Sequence, residues 1–148
     1  MCGIIRVNIK PRTSKITVNI IRLLVSRIHG NFKFRGIKLK VPKGCFAPVF
    51  LSTSLLVNVA VKKVRGRLGC DVGVGCGAVA LSLIKERGVE MIGTDVDMKC
   101  IKASLYNAMI NGIISYYHPV VCSEASCVRS CSVDFVVTNP PYLPIHPT

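Results

Sequence analysis

The stretch LGCDVGVGCG, residues 68–77, joins an apolar strand to a loop that holds three glycines. The apolar run reaches Asp71, and the residues after the loop have helical spacing. Because Gly73, Gly75 and Gly77 lie where a strand gives way to a helix, they let the backbone turn tightly and approach a ligand. The helix N-terminus adds the positive end of its dipole. The stretch therefore predicts a strand–loop–helix unit with a ligand at the loop.

The alternation of strand and helix continues on the C-terminal side of this loop. The predicted elements are a helix at 78–87, a strand at 89–95, a helix at 97–110, a strand at 116–122, a turn or short helix at 124–131 and a strand at 133–138. No Asn-Gly hairpin interrupts them, so the pattern predicts an α/β fold with a doubly wound parallel sheet. The residues expected on one face of the second helix are Met98, Ile101, Leu105, Ala108 and Met109.

Two acidic residues narrow the kind of ligand that the loop would hold. Asp95 ends the strand that follows the glycine loop, where a carboxylate can accept hydrogen bonds from ribose hydroxyls. Folds that bind nicotinamide or flavin cofactors share this arrangement, but their glycines are spaced G-x-G-x-x-G, whereas the spacing here is G-x-G-x-G. Asp71 precedes the first glycine and suits a cationic ammonium group better than a pyrophosphate. The alternative is that both are surface acids at loop ends.

The N-terminal part of the chain has a different pattern. Its predicted elements are a strand at 4–9, a helix from Thr13 or Ser14 to Gly30, a hairpin over 32–41 that turns at Arg35-Gly36, and a helix from Ser52 or Thr53 to Lys63. The outward face of the hairpin carries Lys33, Lys38 and Lys40. We therefore divide the chain into a basic N-terminal extension, residues 1–43, and a ligand-binding domain, residues 44–148.

Positive charge is concentrated in the first half of the chain. Residues 1–70 contain 15 Lys and Arg and no acidic residue, and residues 71–148 contain 5 Lys and Arg against 7 Asp and Glu, so that +15 and −2 give the net charge of +13. A basic half attracts phosphates, which predicts a contact with RNA, the ribosome or an RNA-bound factor. The alternative is a solvated basic surface without an acidic partner.

The chain contains eight cysteines, a number that would suit a secreted disulfide scaffold. However, basic residues interrupt every early apolar run, so a signal-peptide pattern is absent. Several of the cysteines lie in apolar strands, where cysteine behaves as a small hydrophobic residue. One set of side chains could supply four metal ligands but lacks the C-x-x-C spacing of a zinc site: His118, Cys122, Cys127 and Cys131. We therefore expect reduced cysteines and no metal.

The longest uncharged run extends from Gly44 to Val61. It is interrupted by Pro48, a Ser-Thr-Ser triplet and Asn58, which argue against a membrane span. Together with the absence of a signal-peptide pattern, this predicts a cytoplasmic protein without membrane contact.

The chain resembles the class I S-adenosylmethionine-dependent methyltransferases from about Lys40 to Pro144. The resemblance rests on the motifs DVGVGCG, GTDVD and NPPY, which follow the first, second and fourth strands of the domain. It implies S-adenosylmethionine as the cofactor, with Asp71 near its amino group, directly or through water, and Asp95 on the ribose. Glu124 stands where the family has an acid near the adenine amine, or it is an exposed residue at a helix start. The glycines implied to lie against the methionine part are Gly73, Gly75 and Gly77.

By the same resemblance, NPPY at residues 139–142 belongs to enzymes that methylate a nitrogen conjugated to an acyl group or an aromatic ring. Such a nitrogen is a poor nucleophile because its lone pair is delocalised. The side-chain oxygen of Asn139 and the carbonyl of Pro140 can accept both N–H bonds, which orients the lone pair and stabilises the charge that develops on nitrogen. Pro140 and Pro141 keep the loop rigid, and Tyr142 can pack on the flat face of the target group.

The sequence NPPYLP and the earlier VPKGCFAP and STSLL are similar to those of the small archaeal and eukaryotic release-factor glutamine methyltransferases. The similarity implies that the substrate is a peptide release factor, methylated on the glutamine of its Gly-Gly-Gln loop, and that a small activator subunit is a partner. Thr53 is carried over as a neighbour of the cofactor. The family has an acid between the proline and the threonine of this segment, and residues 48–53 contain none.

Two other functions remain open at this point. An amino group of adenine or guanine in RNA or DNA is planar like a glutamine amide, so the NPPY motif does not distinguish a flipped base from a glutamine. The second alternative is a truncated, inactive methyltransferase-like module that binds RNA or a protein partner.

The number of strands also carries an expectation. Four strands are predicted in the domain where the full class I fold has seven, so the fold is expected to be incomplete in its C-terminal half. The strand at 133–138 would then have an unpaired apolar edge, which favours association. We therefore expect a chain that is unstable, oligomeric or completed by another chain.

Overall fold

The computed structural model describes residues 3–5, 28–48 and 51–140. In chain order its elements are β1 (Gly3–Ile5), β2 (Gly30–Phe34), β3 (Ile37–Val41), α1 (Leu51–Lys63), β4 (Leu68–Val72), α2 (Ala78–Arg87), β5 (Glu90–Asp95), α3 (Met98–Ile110), a short 3-10 turn (Ile114–Tyr116), β6 (Tyr117–Val121) and β7 (Phe135–Thr138). The helices and strands predicted within these ranges are confirmed. The strand predicted beyond residue 5 and the helix predicted up to residue 27 lie outside the described residues. None of the described helices is long and apolar enough to cross a membrane.

Five strands form one sheet in the order β1-β7-β4-β5-β6, and every neighbouring pair is parallel. The predicted parallel α/β fold is confirmed. β4 lies in the centre, with Asp71 in register with Gly93 of β5 and Val137 of β7. The connections from β4 to β5 and from β5 to β6 run in the same direction, and right-handed crossovers therefore place α2 and α3 on the same face of the sheet.

The outer edge of β7 is paired, which corrects the expectation of an unpaired edge. Gly3, Ile4 and Ile5 of β1 lie in parallel register with Phe135, Val136 and Val137. This pairing gives hydrogen-bond partners to the backbone groups that an edge strand would present to other chains. The reason for association that the sequence suggested is therefore absent along residues 135–137.

Two glycines on the helix-facing side of the sheet make room for aromatic side chains. A Cβ atom on Gly69 would collide with the ring of Phe135, and one on Gly93 would collide with the ring of Tyr117. Both rings are buried, and the Tyr117 hydroxyl donates a hydrogen bond to Ser104 Oγ of α3 at 2.8 Å. The two glycines therefore leave the space that the rings of Phe135 and Tyr117 occupy against the central strands.

The β2–β3 hairpin packs on α3 through two asparagine side chains. Asn107 accepts a hydrogen bond from the backbone N–H of Lys40 at 2.8 Å and donates one to the carbonyl of the same residue at 3.1 Å. Asn111, one turn later, makes the equivalent pair with Lys38 at 3.0 and 2.8 Å. The hairpin thus buries Ile37, Leu39 and Val41 in the common core and turns its lysines outward, as predicted.

The predicted inner face of α3 is partly wrong. Ile101 and Ala108 are buried, whereas Met98, Leu105 and Met109 are exposed. The helix instead turns polar residues inward, because the hydrogen bonds of Ser104 and Asn107 satisfy them in the core. Apolar spacing alone could not indicate this rotation.

The cysteines also depart from expectation. Cys45 is bonded to Cys100, and Cys122 to Cys127, so these four residues are not reduced. Cys70 and Cys76 are buried free thiols, as expected of small hydrophobic residues. The set considered as metal ligands does not form a metal site, because Cys122 and Cys127 are bonded to each other, and within residues 28–48 and 51–140 no cluster of His, Cys, Asp and Glu is arranged to hold a metal ion.

Candidate active site

A small cavity of about 50 Å³ opens at the C-terminal ends of β4 and β7, the edge at which parallel α/β sheets hold their ligands. It brings together five of the residues predicted from sequence: Asp71, Gly73, Gly75, Asn139 and, from α1, Thr53. Its other walls come from the loop after β3, from the rest of the glycine loop and from the start of α2, namely Phe46, Pro48, Val74, Cys76, Ala78 and Val79. The cavity therefore joins the predicted cofactor loop to the predicted catalytic loop.

The glycine loop has the backbone that its sequence predicted. Gly73, Gly75 and Gly77 all have positive φ, at 75°, 55° and 89°, a region that costs other residues free energy. Gly77 is also crowded, since a Cβ there would lie 3.1 Å from Leu81 Cδ1 and 3.2 Å from Ser104 Cβ. The N–H groups of Gly73 and Val74 both donate to the Thr94 carbonyl at 2.9 Å, which ties the loop to β5.

Asp71 is buried beneath this loop. Its Oδ2 atom accepts a hydrogen bond from the backbone N–H of Ala80 at 3.0 Å, in the first turn of α2. Burial, with a smaller contribution from the negative charge of Asp95, raises the pKa of Asp71 from 3.8 to about 7, although the Ala80 N–H opposes the rise. A cationic group entering the cavity would favour the ionised carboxylate, because the two charges would meet where water is scarce.

Asp95 supports the glycine loop from the neighbouring strand. Its Oδ2 atom accepts from Gly75 N–H and its Oδ1 atom from Asp97 N–H, both at 2.9 Å. Each oxygen has a second lone pair for a further hydrogen bond. Asp95 is half-buried and does not line the cavity, so a ligand must extend beyond the cavity to meet it.

Asn139 enters the cavity directly after β7. Its Nδ2 atom donates to Thr53 Oγ1 of α1 at 3.3 Å, and Thr53 is buried. Pro140 follows as a half-buried residue, while Pro141 and Tyr142 lie outside the described residues. Thr53 was predicted as a neighbour of the cofactor, but its contact with Asn139 joins residues 86 positions apart, which a local sequence pattern does not indicate.

Glu124 is placed differently from the other predicted cofactor residues. Its side chain is exposed, and its backbone is left-handed, with φ at 51°. The carbonyl of Glu124 accepts a hydrogen bond from the Thr94 hydroxyl. The structure thus brings its backbone next to β5 but not to the cavity lining.

Cys76 is the remaining group in the cavity wall with nucleophilic chemistry. Burial raises the pKa of its thiol to about 12, so the thiol is neutral near pH 7 and is a weak nucleophile. Its carbonyl accepts from Asn107 Nδ2 at 2.9 Å. Asn107, which sequence analysis missed, therefore links the glycine loop to the β2–β3 hairpin.

A family model described as the methyltransferase small domain matches residues 38–146, which include the whole cavity lining. The chain belongs to this family. Its curated relatives include a release factor glutamine methyltransferase of Agrobacterium fabrum, 32% identical over 127 residues, and a putative protein N5-glutamine methyltransferase of Methanocaldococcus jannaschii, 28% identical over 113 residues. These matches cover 80% and 76% of the chain but only 43% and 54% of the relatives, so the chain spans about half the length of those proteins.

Solved structures agree with the family at the level of the fold. A 16S rRNA N2 methyltransferase of T. thermophilus, solved with AdoMet and guanosine, has a TM-score of 0.66, 22% sequence identity, and covers 80% of this chain and 33% of its own. The α/β architecture is thus that of the class I methyltransferases. S-adenosylmethionine is the methyl donor of the family. The residues of the cavity fit this cofactor, because the buried carboxylate of Asp71 suits its ammonium group.

Proposed function

We propose that this chain transfers a methyl group from S-adenosylmethionine to the amide nitrogen of a glutamine in a peptide release factor. The observation that carries the proposal is the shared cavity, in which Asn139 lies with Asp71, Gly73 and Gly75. An amide-recognising residue and a cofactor loop in one cavity are what transfer to a planar nitrogen requires.

The cofactor would be bound from both sides of the glycine loop. Asp71 would pair with its ammonium group, the loop glycines would lie against its methionine part, and Asp95 would accept from the ribose hydroxyls through its remaining lone pairs. Since the cavity of about 50 Å³ is smaller than the whole cofactor, the ligand would extend past it toward Asp95. Glu124, exposed beyond β6, would be the residue nearest the adenine amine.

Asn139 would orient the target nitrogen. Because its Nδ2 atom is bonded to Thr53, its Oδ1 atom is the end of the amide suited to accept a substrate N–H. The carbonyl of Pro140 would accept the second N–H, and Pro141 and Tyr142 would complete the loop and cover the flat face of the amide. When bound, S-adenosylmethionine supplies an electrophilic methyl group, and the two acceptors stabilise the positive charge on nitrogen until its proton leaves to solvent.

Release factors are favoured as the substrate because several of the relatives that match most of the chain are named release factor glutamine methyltransferases, and another is named for N5-glutamine methylation. A release factor works at the ribosome, so the proposed location is the cytoplasm. We also propose that the chain divides into a basic N-terminal extension, residues 1–43, and a methyltransferase domain, residues 44–148. A small activator subunit is proposed as a partner.

Methylation of a base amino group in RNA is the second candidate. The lysines exposed on the β2–β3 hairpin favour it, because they would attract phosphates. The two candidates share the same cofactor site and differ only in the molecule that enters it.

A methyl-transfer assay separates the candidates. The chain is incubated with S-adenosylmethionine that carries a labelled methyl group, and with a release factor, the same factor with its Gly-Gly-Gln glutamine changed to alanine, and ribosomal RNA in parallel. We expect label only on the unaltered factor, at the glutamine, as located by mass spectrometry of its peptides. Label on the RNA would contradict the first candidate and support the second.

Asn139→Ala tests the site itself. We expect methyl transfer to fall by about a hundredfold or more, because the oriented acceptor is lost where charge develops, while cofactor affinity stays close to that of the parent chain. Asn31→Ala, an exposed asparagine on the hairpin, is the matched control and should leave transfer unchanged. Equal activity of the Asn139→Ala variant and the parent would contradict the proposed role.

A further inference from the structure

A second groove, of about 270 Å³, lies between β3 and the outer side of α3. We call it the lysine groove; the residues that line it are Lys40, Pro42, Lys99, Lys102, Ala103 and Tyr106. The lining residues of α3 recur at helical spacing, so they form one continuous strip. None of the six is acidic. Among the described residues, Lys99 is the one member of the six that forms an ion pair, and that pair is long, with Lys99 Nζ 4.0 Å from Asp97 Oδ2.

The hairpin face next to the groove carries further lysines that repel one another. Lys33 lies directly opposite Lys38 across the hairpin, and Lys40 follows on the same outward face. Like charges directly opposite on two strands are destabilising, and the ion pairs recorded for residues 28–48 and 51–140 do not include Lys33, Lys38, Lys40 or Lys102. An anionic partner would offset this repulsion.

An exposed aromatic ring lies among these charges. Tyr106 is 46% exposed, and Lys40 Nζ lies over its ring in a cation–π contact, 5.6 Å from the ring centre. A tyrosine in the wall of a basic groove provides a flat face for a base, while the ammonium groups beside it contact phosphates. An acidic protein surface would use the charges but not the ring face.

The groove is also held in shape before any ligand arrives. Asn107 and Asn111 fix the backbone of Lys40 and Lys38 to α3 through four hydrogen bonds. The strand that carries the lysines and the helix that carries Tyr106 therefore keep a constant spacing, which lowers the entropy lost on binding.

We infer that the lysine groove binds single-stranded RNA, with phosphates on Lys40, Lys99 and Lys102 and a base stacked on Tyr106. RNA is favoured over DNA because its loops and bulges present unstacked bases, whereas DNA is ordinarily duplex. The groove shares one loop with the active-site cavity: Pro42 lines the groove and Phe46 lines the cavity, at most about 14 Å apart along an extended chain. This binding is independent of the proposed methyl transfer.

Fluorescence anisotropy with a labelled, unstructured RNA of about ten nucleotides tests the inference without any cofactor. The chain is compared with the double variant Lys40→Gln/Lys102→Gln and with Lys62→Gln/Lys63→Gln, which removes the same charge from exposed lysines at the end of α1. We expect the first variant to bind more weakly and to lower the slope of log affinity against log salt by about 1.4, since each lost phosphate contact removes about 0.7. The control variant should keep the parent slope.

Tyr106→Leu tests the stacking contact separately. We expect at least about a fivefold loss of affinity with the salt slope unchanged, because stacking is lost but no phosphate contact. Unchanged melting temperatures of all variants would show that the exposed substitutions leave the fold intact.

Three results would overturn the inference: no RNA binding by the parent chain, equal losses in the two double variants, or tighter binding of a DNA strand of the same sequence. A release factor that loses binding in the Lys40→Gln/Lys102→Gln variant while RNA does not would assign the groove to a protein instead. Because cofactor and methyl transfer play no part in this measurement, its failure would leave the proposed function untouched.

Discussion

At the scale of single residues, the hydrogen bond between Asn139 and Thr53 would set which end of the amide meets the substrate in the proposed reaction. Asn139 Nδ2 donates to Thr53 Oγ1 at 3.3 Å, from a buried threonine in the cavity wall. In the proposed reaction, Thr53 would therefore be a positioning residue that acts through Asn139.

Thr53→Val keeps the shape of the side chain and removes this acceptor. We expect kcat for methyl transfer to fall by about fivefold, the worth of one hydrogen bond of about 1 kcal/mol, with little change in the Kd for S-adenosylmethionine. Thr53→Ser should restore kcat, and Ser52→Ala, a neighbouring hydroxyl that does not line the cavity, serves as the control. A loss of cofactor affinity without a loss of kcat would contradict the role.

Asp71 gives the chain a defined pH dependence. Because burial raises its pKa from 3.8 to about 7, the folded chain holds a proton that the unfolded chain releases at lower pH. The stability linked to this proton is complete below the ordinary pKa and is lost as pH rises through about 7. We therefore expect the melting temperature of the ligand-free chain to fall between about pH 4 and about pH 7.

Asp71→Asn isolates this contribution, because an amide keeps the acceptor for Ala80 N–H but does not titrate. Calorimetry should show that the melting temperature falls less with rising pH in the variant than in the parent chain. Parallel curves for the two chains, or a steeper one for the variant, would contradict the raised pKa of Asp71.

At the scale of elements, the hairpin, α3 and the glycine loop are joined by one buried side chain. Asn107 bonds to both backbone groups of Lys40 and to the carbonyl of Cys76. Asn107→Ala should lower the free energy of unfolding by about 2–4 kcal/mol, since buried backbone groups lose their partners. Urea unfolding measures the loss.

Asn111→Ala is the matched control, because it removes a similar pair of bonds to Lys38 at an exposed position. There water can replace the lost partner, so the cost should stay below about 1 kcal/mol. Equal costs for the two variants would contradict a structural role of Asn107 in the core.

The elements themselves were predictable where the pattern is local. Strand β4, the three glycines and α2 follow from spacing within twenty residues, and the hairpin follows from alternation around Arg35-Gly36. The inner face of α3 was not predictable, because Ser104 and Asn107 have hydrogen-bond partners on β6, on β3 and in the glycine loop. Burial of polar side chains depends on tertiary hydrogen bonds that periodicity does not encode.

At the scale of the whole molecule, the sequence placed Asp71, Asp95 and Asn139 at one end of a parallel sheet, since strand ends meet there. It could not place contacts between distant segments. The pairing of β1 with β7, the Cys45–Cys100 bond and the approach of Thr53 to Asn139 each join positions more than fifty residues apart. Such pairings depend on how the elements assemble, which local propensity does not determine.

Isothermal titration with S-adenosylmethionine tests the central claim, that the cofactor binds at the glycine loop between Asp71 and Asp95. We expect saturable binding at one site by the parent chain. The control variant Asp97→Asn, which changes the carboxylate that caps α3, should bind in the same way. Asp95→Ala should bind at least about tenfold more weakly, because it loses charge-assisted hydrogen bonds to the ribose. No binding by the parent chain, or equal binding by Asp95→Ala, would contradict the account.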